Sequence, residues 1–198
     1  MSNSKNKQLL ILAGLSCAGK STLIEAIHSE QLNRDILQQL KINNLSVLPT
    51  FDDADLPQLA LQEIEESIVL HYDLYYDYLH QNHHRQITQI IKQFEEVVIL
   101  TIYVSQKTLL KRHKKRMNKT YIRFLRPLNY SRKIDLLKKQ ISKCQEYQDR
   151  SLIENIYQSW LSYAKDISKA RVFVLDGSHN KQRLQALTTT RDCSYKLR

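Results

Sequence analysis

The chain has 198 residues and a formal net charge of +10, with only three glycines and three prolines. This length suits one α/β domain that buries a core without disulfides, and the low glycine and proline content indicates a helix-rich fold. Cys17, Cys144 and Cys193 lack metal-ligand spacing, so they support neither a disulfide framework nor a zinc site and indicate a reducing cytoplasm. The first apolar run is too short to span a bilayer, so we expect no membrane partner and no signal peptide.

A glycine-rich segment lies between the first two predicted elements. The aliphatic run Leu9 to Ala13 is typical of a buried parallel strand, and the residues from Thr22 onward predict a helix with one apolar face. The segment that joins them matches the pattern G-x-x-x-x-G-K-[ST] at every fixed position, and it reads Gly14-Leu15-Ser16-Cys17-Ala18-Gly19-Lys20-Ser21-Thr22. Such a loop directs successive N–H groups and the positive end of a helix dipole at an anion.

All nine residues are therefore predicted to bind a nucleoside triphosphate, ATP or another. Lys20 would reach the β and γ phosphates, and the Ser21 hydroxyl would ligate Mg²⁺.

The later elements alternate between strands and helices. The predicted strands are Leu45 to Leu48, Ser67 to Asp73, Val97 to Val104 and Arg171 to Leu175. The predicted helices are Asp35 to Ile42, Gln58 to Glu66, His83 to Phe94, Gln106 to Asn118, one with Ile134, Leu137, Ile141 and Cys144 on its inner face, one that carries Leu152 to Leu161, and a short closing helix after Ser178. Lys119 to Tyr130 is the predicted mobile loop. The alternation predicts a three-layer α/β/α fold with a mostly parallel central sheet.

Asp73 stands at the end of a predicted buried strand. A carboxylate there projects into the crevice in which open α/β sheets bind ligands, at the edge from which the glycine-rich loop springs. Asp73 would hold Mg²⁺ through water or accept a proton from an attacking hydroxyl, and the alternative is a cap for the next helix. Asp52, Asp53 and Asp55 follow the second strand, where they either bind substrate hydroxyls and help to place Mg²⁺ or form a solvated loop.

One segment carries the whole excess of positive charge. Between Ser105 and Lys139 thirteen Lys or Arg stand against one acid, and because the whole chain has 30 basic and 20 acidic residues, the rest has 17 and 19. Such a segment is a solvated helix face, a nucleic-acid surface, or a set of cations that closes over polyphosphate. We therefore predict one domain over residues 1–198, with a basic lid and helical insertion at 105–148.

The loop resembles those of P-loop small-molecule kinases, particularly adenylylsulfate kinases, where similar loops begin Gly-Leu-Ser as Gly14-Leu15-Ser16 does here. As in nucleoside monophosphate kinases, a strong strand leads into a helix with spaced basic residues, here Lys111-Arg112 and Lys115-Arg116, and the last strand runs into Leu175-Asp176-Gly177. The resemblance implies a P-loop fold in which Arg112 and Arg116 are lid cations that clamp the transferring phosphates. A looser likeness, through His71 to Leu74, is to P-loop proteins of surface-glycan biosynthesis.

Three functions follow from these patterns. The first is an ATP-dependent phosphotransferase that moves the γ-phosphoryl group to a small anionic acceptor such as a nucleotide, sugar phosphate or sulfonucleotide, with Lys20, Asp73, Arg112 and Arg116 as its catalytic residues. The second is a nucleic-acid-binding NTPase or end-processing kinase, and the third is a P-loop sulfotransferase-like protein. The intact Gly-Lys-Ser followed by Thr22 favours a triphosphate with metal over the third function.

Overall fold

A six-stranded sheet with the order β2-β3-β1-β4-β5-β6 forms the centre of this computed structural model, which describes residues 7–31, 34–42, 44–79, 82–124, 130–178 and 183–187. The strands are β1 Gln8–Gly14, β2 Thr50–Asp52, β3 Ile68–Asp73, β4 Glu96–Tyr103, β5 Ala170–Asp176 and β6 Arg183–Leu187. The helices are α1 Lys20–His28, α2 Arg34–Leu40, α3 Leu56–Leu59, α4 Leu74–Leu79, α5 Asn82–Lys92, α6 Gln106–Phe124, α7 Tyr130–Glu146 and α8 Arg150–Asp166.

Strands β1 to β5 are parallel, and β6 pairs with β5 in the antiparallel sense. Every residue of β1 is buried, as its aliphatic sequence predicts for a central parallel strand. Its two neighbours, β3 and β4, lie on opposite sides of it, so a crevice opens beyond the carboxyl end of β1. The predicted α/β fold with a mostly parallel sheet is confirmed. Among the described helices, none is both long and apolar enough to cross a membrane.

Two strand and helix predictions are wrong. Leu45 to Leu48 is not a strand, because its first three residues form a 3-10 helix in which Leu45 is buried and Val47 is 75% exposed. The second strand is Thr50–Asp52, which begins just after Pro49. Within the stretch after Ser178 where a closing helix is predicted, residues 183–187 instead form the strand β6, which pairs with the edge of β5, whose backbone groups would otherwise lack partners on that side; residues 179–182 and 188–198 lie outside the described residues.

The structure also differs from the prediction in the length of two helices and in the burial of a third. Helix α6 continues to Phe124, because no Gly or Pro interrupts the helix-forming sequence within the predicted loop before that point, and residues 125–129 lie outside the described residues. The helix predicted over Gln58 to Glu66 is the shorter α3. On α7 only part of the predicted inner face is buried, because Cys144 is 9% exposed whereas Ile134 and Ile141 are 38% and 41% exposed.

Helix α8 fastens the carboxyl end of β4 through two polar contacts within the core. The indole Nε1–H of Trp160 donates to Thr101 Oγ1 at 2.9 Å, and the hydroxyl of Tyr157 donates to the carbonyl oxygen of Ile102 at 3.0 Å. The helix begins at Asp149, whose carboxylate accepts the N–H groups of the first turn. Because Trp160 and Thr101 are both buried, neither group has water as an alternative partner.

We predict that Thr101→Val lowers the free energy of unfolding by about 1–3 kcal/mol, because the shape is kept while the Trp160 N–H loses its acceptor. Chemical denaturation measures the change. In a Trp160→Phe background, where no donor remains, the same substitution should cost much less. Equal costs in the two backgrounds would contradict the assignment of this hydrogen bond.

Candidate nucleotide-binding site

The glycine-rich loop joins β1 to α1, and both of its motif glycines are required by the backbone. A Cβ on Gly14 would lie 3.1 Å from the carbonyl oxygen of Ile102 and 3.2 Å from Cβ of Ala18. Gly19 has a φ of 110° and directly precedes α1, in a left-handed conformation that other residues rarely adopt. The loop thus brings the start of α1 to the carboxyl end of β1.

The side chain of Lys20 is folded into the loop. Its ammonium donates to the carbonyl oxygens of Gly14 at 2.5 Å and Leu15 at 3.2 Å, and lies 3.7 Å from Asp73 Oδ2. The residue is 4% exposed, and burial lowers the pKa of Lys20, while the nearby carboxylates of Asp73 and Asp53 oppose that shift. The loop therefore encloses a cation whose close partners are two neutral carbonyl groups and one carboxylate.

Asp73 contacts both the start of the next helix and the loop lysine. The parallel register pairs it with Gly14, as expected for a residue at the carboxyl edge of the sheet. One carboxylate oxygen, Oδ1, accepts the N–H of Tyr75 at 3.0 Å at the start of α4, while Oδ2 is the oxygen near Lys20. The backbone N–H of Asp73 donates to both carboxylate oxygens of Asp53, each at 3.1 Å. Two carboxylates therefore meet beside the loop lysine.

Asp53 is the acidic residue after β2 that reaches the site. Burial raises the pKa of Asp53 to about 6, and the neighbouring Asp73 carboxylate adds to this shift, while the N–H of Asp73 opposes it. Asp52 and Asp55 instead form hydrogen bonds within the turn, to the N–H of Ala54 and of Asp52 respectively. Of the two readings of this acidic stretch, a binding role therefore suits Asp53 and a solvated turn suits the other two.

The guanidinium of Arg112 binds backbone carbonyl groups. It donates to the oxygens of Cys17 at 3.2 Å, Ala18 at 2.7 Å and Gly177 at 2.6 Å, and so joins the loop to the segment that follows β5. Arg116, one turn further along α6, is exposed, and its Nη1 lies 3.8 Å from Cys17 Sγ. The two predicted lid cations thus share one helix face, and the guanidinium of Arg112 is bound to three carbonyl oxygens.

A cleft of about 1170 Å³ runs along the loop. The loop residues from Leu15 to Thr22 line it together with Asp73, Arg112 and Arg116, and so do His71 and Lys143, whereas Gly14 and the acidic residues Asp52, Asp53 and Asp55 do not. Sequence reasoning did not single out Lys143, whose Nζ is 5.3 Å from the centre of the Tyr75 ring. Its position four residues before the buried Tyr147 is the signal that places it on the inner face of α7. Burial lowers the pKa of His71, which is half-buried.

No protein-family model matches the sequence, and no curated protein matches it significantly. Among solved structures, a shikimate kinase from Bacteroides thetaiotaomicron aligns with 78% of this chain and 96% of its own, at 14% identity and a TM-score of 0.28. A TM-score this low carries no weight. The assignment to a P-loop α/β fold rests on the strand order, the loop geometry and the helix that begins at Lys20.

We predict that Arg112→Met lowers the free energy of unfolding by about 2 kcal/mol, because three carbonyl oxygens lose a charged donor. Lys115→Met, on the exposed side of the same helix, is the matched control and should change stability by less than about 0.5 kcal/mol. Chemical denaturation of both variants measures the difference, and similar losses in the two would contradict the role of Arg112.

We predict a pH-dependent effect of Asp53→Asn. Because the pKa of Asp53 is raised from 3.8 to about 6, its contribution to stability is present below the unfolded value and is lost as pH rises through about 6. The Asn oxygen still accepts the Asp73 N–H, so the variant should gain up to about 3 kcal/mol over the wild type between pH 4 and pH 7.5. Denaturation across this range measures it, with the exposed Asp52→Asn as control. A pH-independent difference contradicts the shift.

Proposed function

We propose that this protein is an ATP-dependent phosphotransferase that moves the γ-phosphoryl group to a small anionic acceptor. The observation that carries the proposal is the buried ammonium of Lys20, enclosed by the loop and adjoined by Asp73. Phosphoryl transfer depends on position and charge, and needs a phosphate cradle, cations on the transferring group and a group that receives the proton. The loop, Lys20 and the cations Arg116 and Lys143 line the cleft and support the first two of these roles, and the carboxylates of Asp73 and Asp53 support the third.

The loop and Lys20 form the proposed nucleotide side. The present partners of the ammonium, apart from Asp73, are neutral carbonyl oxygens of Gly14 and Leu15. An anionic phosphate oxygen makes a stronger hydrogen bond to a buried ammonium than a neutral carbonyl does. Binding of the triphosphate therefore draws the lysine toward the β and γ phosphates, while the N–H groups at the start of α1 receive the phosphate oxygens.

Arg116 and Lys143 supply the cations that line the cleft from α6 and α7. Two positive side chains that face the phosphate loop favour an acceptor that is itself anionic over a neutral one. We assign Arg112 to a different role, that of a positioning residue, because its hydrogen bonds hold the loop to Gly177. Loss of the Arg112 side chain would therefore affect the bound phosphates indirectly, through a change in the position of the loop.

Asp53, which adjoins the cleft-lining Asp73 without lining the cleft itself, is the proposed proton acceptor and would be reached through a bridging water. A base with a pKa of about 6 is mostly ionised at neutral pH and is still basic enough to take a proton as a hydroxyl attacks. In the step, the acceptor O–H bond breaks and its proton passes to the Asp53 carboxylate. The acceptor oxygen forms a bond to the γ phosphorus, and the bond from that phosphorus to the bridging oxygen breaks, with its electrons remaining on ADP.

Magnesium fits the oxygen donors beside the loop. The two carboxylates of Asp73 and Asp53 adjoin one buried ammonium, which leaves an excess of negative charge, and the Ser21 hydroxyl lines the same cleft. Carboxylate and hydroxyl oxygens are ligands that Mg²⁺ prefers, and we assign Ser21 and Asp73 to hold it. When bound, Mg²⁺ supplies positive charge to the β and γ phosphate oxygens. No cluster of three or more His, Cys, Asp or Glu that could hold a metal occurs among the described residues.

We predict that Lys20→Met lowers the rate of ATP-dependent transfer by at least about a hundredfold, because a cation on the transferring group is lost. Consumption of ATP with Mg²⁺ is measured against nucleotides, sugar phosphates and sulfonucleotides, and circular dichroism verifies the fold. Lys111→Met, an exposed lysine of α6 outside the cleft lining, is the matched control and should retain the wild-type rate.

Either of two experimental results would contradict the proposed function. One is a folded Lys20→Met variant with full transfer activity. The other is a wild-type protein that neither gains thermal stability from ATP with Mg²⁺ nor consumes ATP with any acceptor class.

A further inference from the structure

The side of α6 that faces solvent is a row of lysines. The side chains that form it are all exposed, and they are Lys107, Lys111, Lys114, Lys115 and Lys119. We call these five residues the lysine row. The opposite side of the helix contains the buried Leu109 and His113, and the loop-bound Arg112 lies at the border between the two sides, beside Lys115 and Lys119. None of the five lysines lines the nucleotide cleft.

The row follows the helix in a regular way. Lys107, Lys111, Lys115 and Lys119 are four residues apart, which places successive side chains about 6 Å apart along the axis and the outer two about 18 Å apart. Lys114 lies beside the middle of the row. Because 3.6 residues make one turn, each step of four residues also turns by about 40°, so the row winds about 120° around the helix from Lys107 to Lys119, and Lys107, Lys111 and Lys115 lie most directly away from Leu109 and His113.

The charge of the row is not balanced by acids of its own helix. Helix α6 contains eight Lys or Arg and no Asp or Glu in its sequence QKTLLKRHKKRMNKTYIRF. Like charges at positions i and i+4 repel one another, and a solvated helix usually alternates its signs. No ion pair of a row lysine occurs within the described parts of the chain. An external polyanion would therefore relieve a repulsion that these parts of the fold leave in place.

We propose that the lysine row binds the phosphate backbone of a nucleic-acid duplex, independently of base sequence and of the phosphotransfer reaction. A duplex presents about one charge per 1.7 Å of its axis, so about ten charges lie along the roughly 18 Å of helix axis that the row spans. Lysines make point-charge contacts with phosphates, which position a protein without reading bases. The described side chains of α6, residues 106–119, include no aromatic group for stacking on single-stranded bases and no large exposed apolar group for insertion into a membrane.

The test uses the full chain and short mixed-sequence duplex DNA carrying a fluorescent label. The triple variant Lys107→Gln, Lys111→Gln, Lys115→Gln is compared with Lys41→Gln, Lys92→Gln, Lys165→Gln, which removes the same charge elsewhere. Binding is measured by anisotropy between about 50 mM and 200 mM salt. In the row variant the slope of log K against log salt should shrink by about three, or about one for each lost phosphate contact, and the control should retain the wild-type slope.

Several results would overturn the proposal. They are no duplex binding by the wild type, equal slope changes in the two triple variants, a preference of more than about tenfold between two unrelated duplexes, or binding to phosphatidylserine vesicles without binding to duplex. A thermal shift measured on each variant verifies the fold. Should the row variant unfold, the single substitutions are measured instead, and each must reduce the slope by about one.

Discussion

The buried ammonium of Lys20 is the constraint on which the rest of the site depends. A charge that is taken out of water is very costly unless it is paired, and this one is paired with two loop carbonyl oxygens and Asp73. That arrangement requires the carbonyl groups of Gly14 and Leu15 to turn inward, and it requires β1 and β3 in the register that sets Gly14 beside Asp73. The strand order, the loop conformation and the carboxylate at the end of β3 therefore all contribute to stabilising the buried charge of Lys20.

Helix α6 divides its positive charge between two sides with different surroundings. On one side the guanidinium of Arg112 is bound to carbonyl oxygens, where a planar cation with several donors suits three acceptors. On the other side the lysine row extends into water, where flexible point charges suit mobile or repeating anions. The basic residues of one helix therefore serve both the interior of the site and the molecular surface.

The parts that could be predicted from sequence are those that local pattern determines. The phosphate loop follows from its fixed positions, β1 and β4 from their aliphatic runs, and the placement of Asp73 from its position at a strand end. Strand β2 has only three residues, too few to show the alternation of side chains that identifies a strand. Strand β6 forms by pairing with the open edge of β5, which the local sequence does not indicate. Asp53 and Asp73 are distant in the chain, and so are Arg112 and the carbonyl groups that it binds. The spacing of the sequence therefore indicates which helix face or strand end each residue occupies, but it does not indicate which residue it contacts.

The strands that lead into the proposed nucleotide residues and into Asp53 differ in how far they are buried and in how many strands they pair with. The end at which we propose that the nucleotide binds rests on β1, whose residues are all buried and paired on both sides. Asp53 follows β2, an edge strand of three residues that pairs with β3 alone and has no fully buried member. Substitutions within β2 itself thus disturb little of the core. If the proposed function holds, substitutions at the β2 edge of the sheet can change which acceptor is bound in the course of evolution, while the residues that bind the triphosphate stay the same.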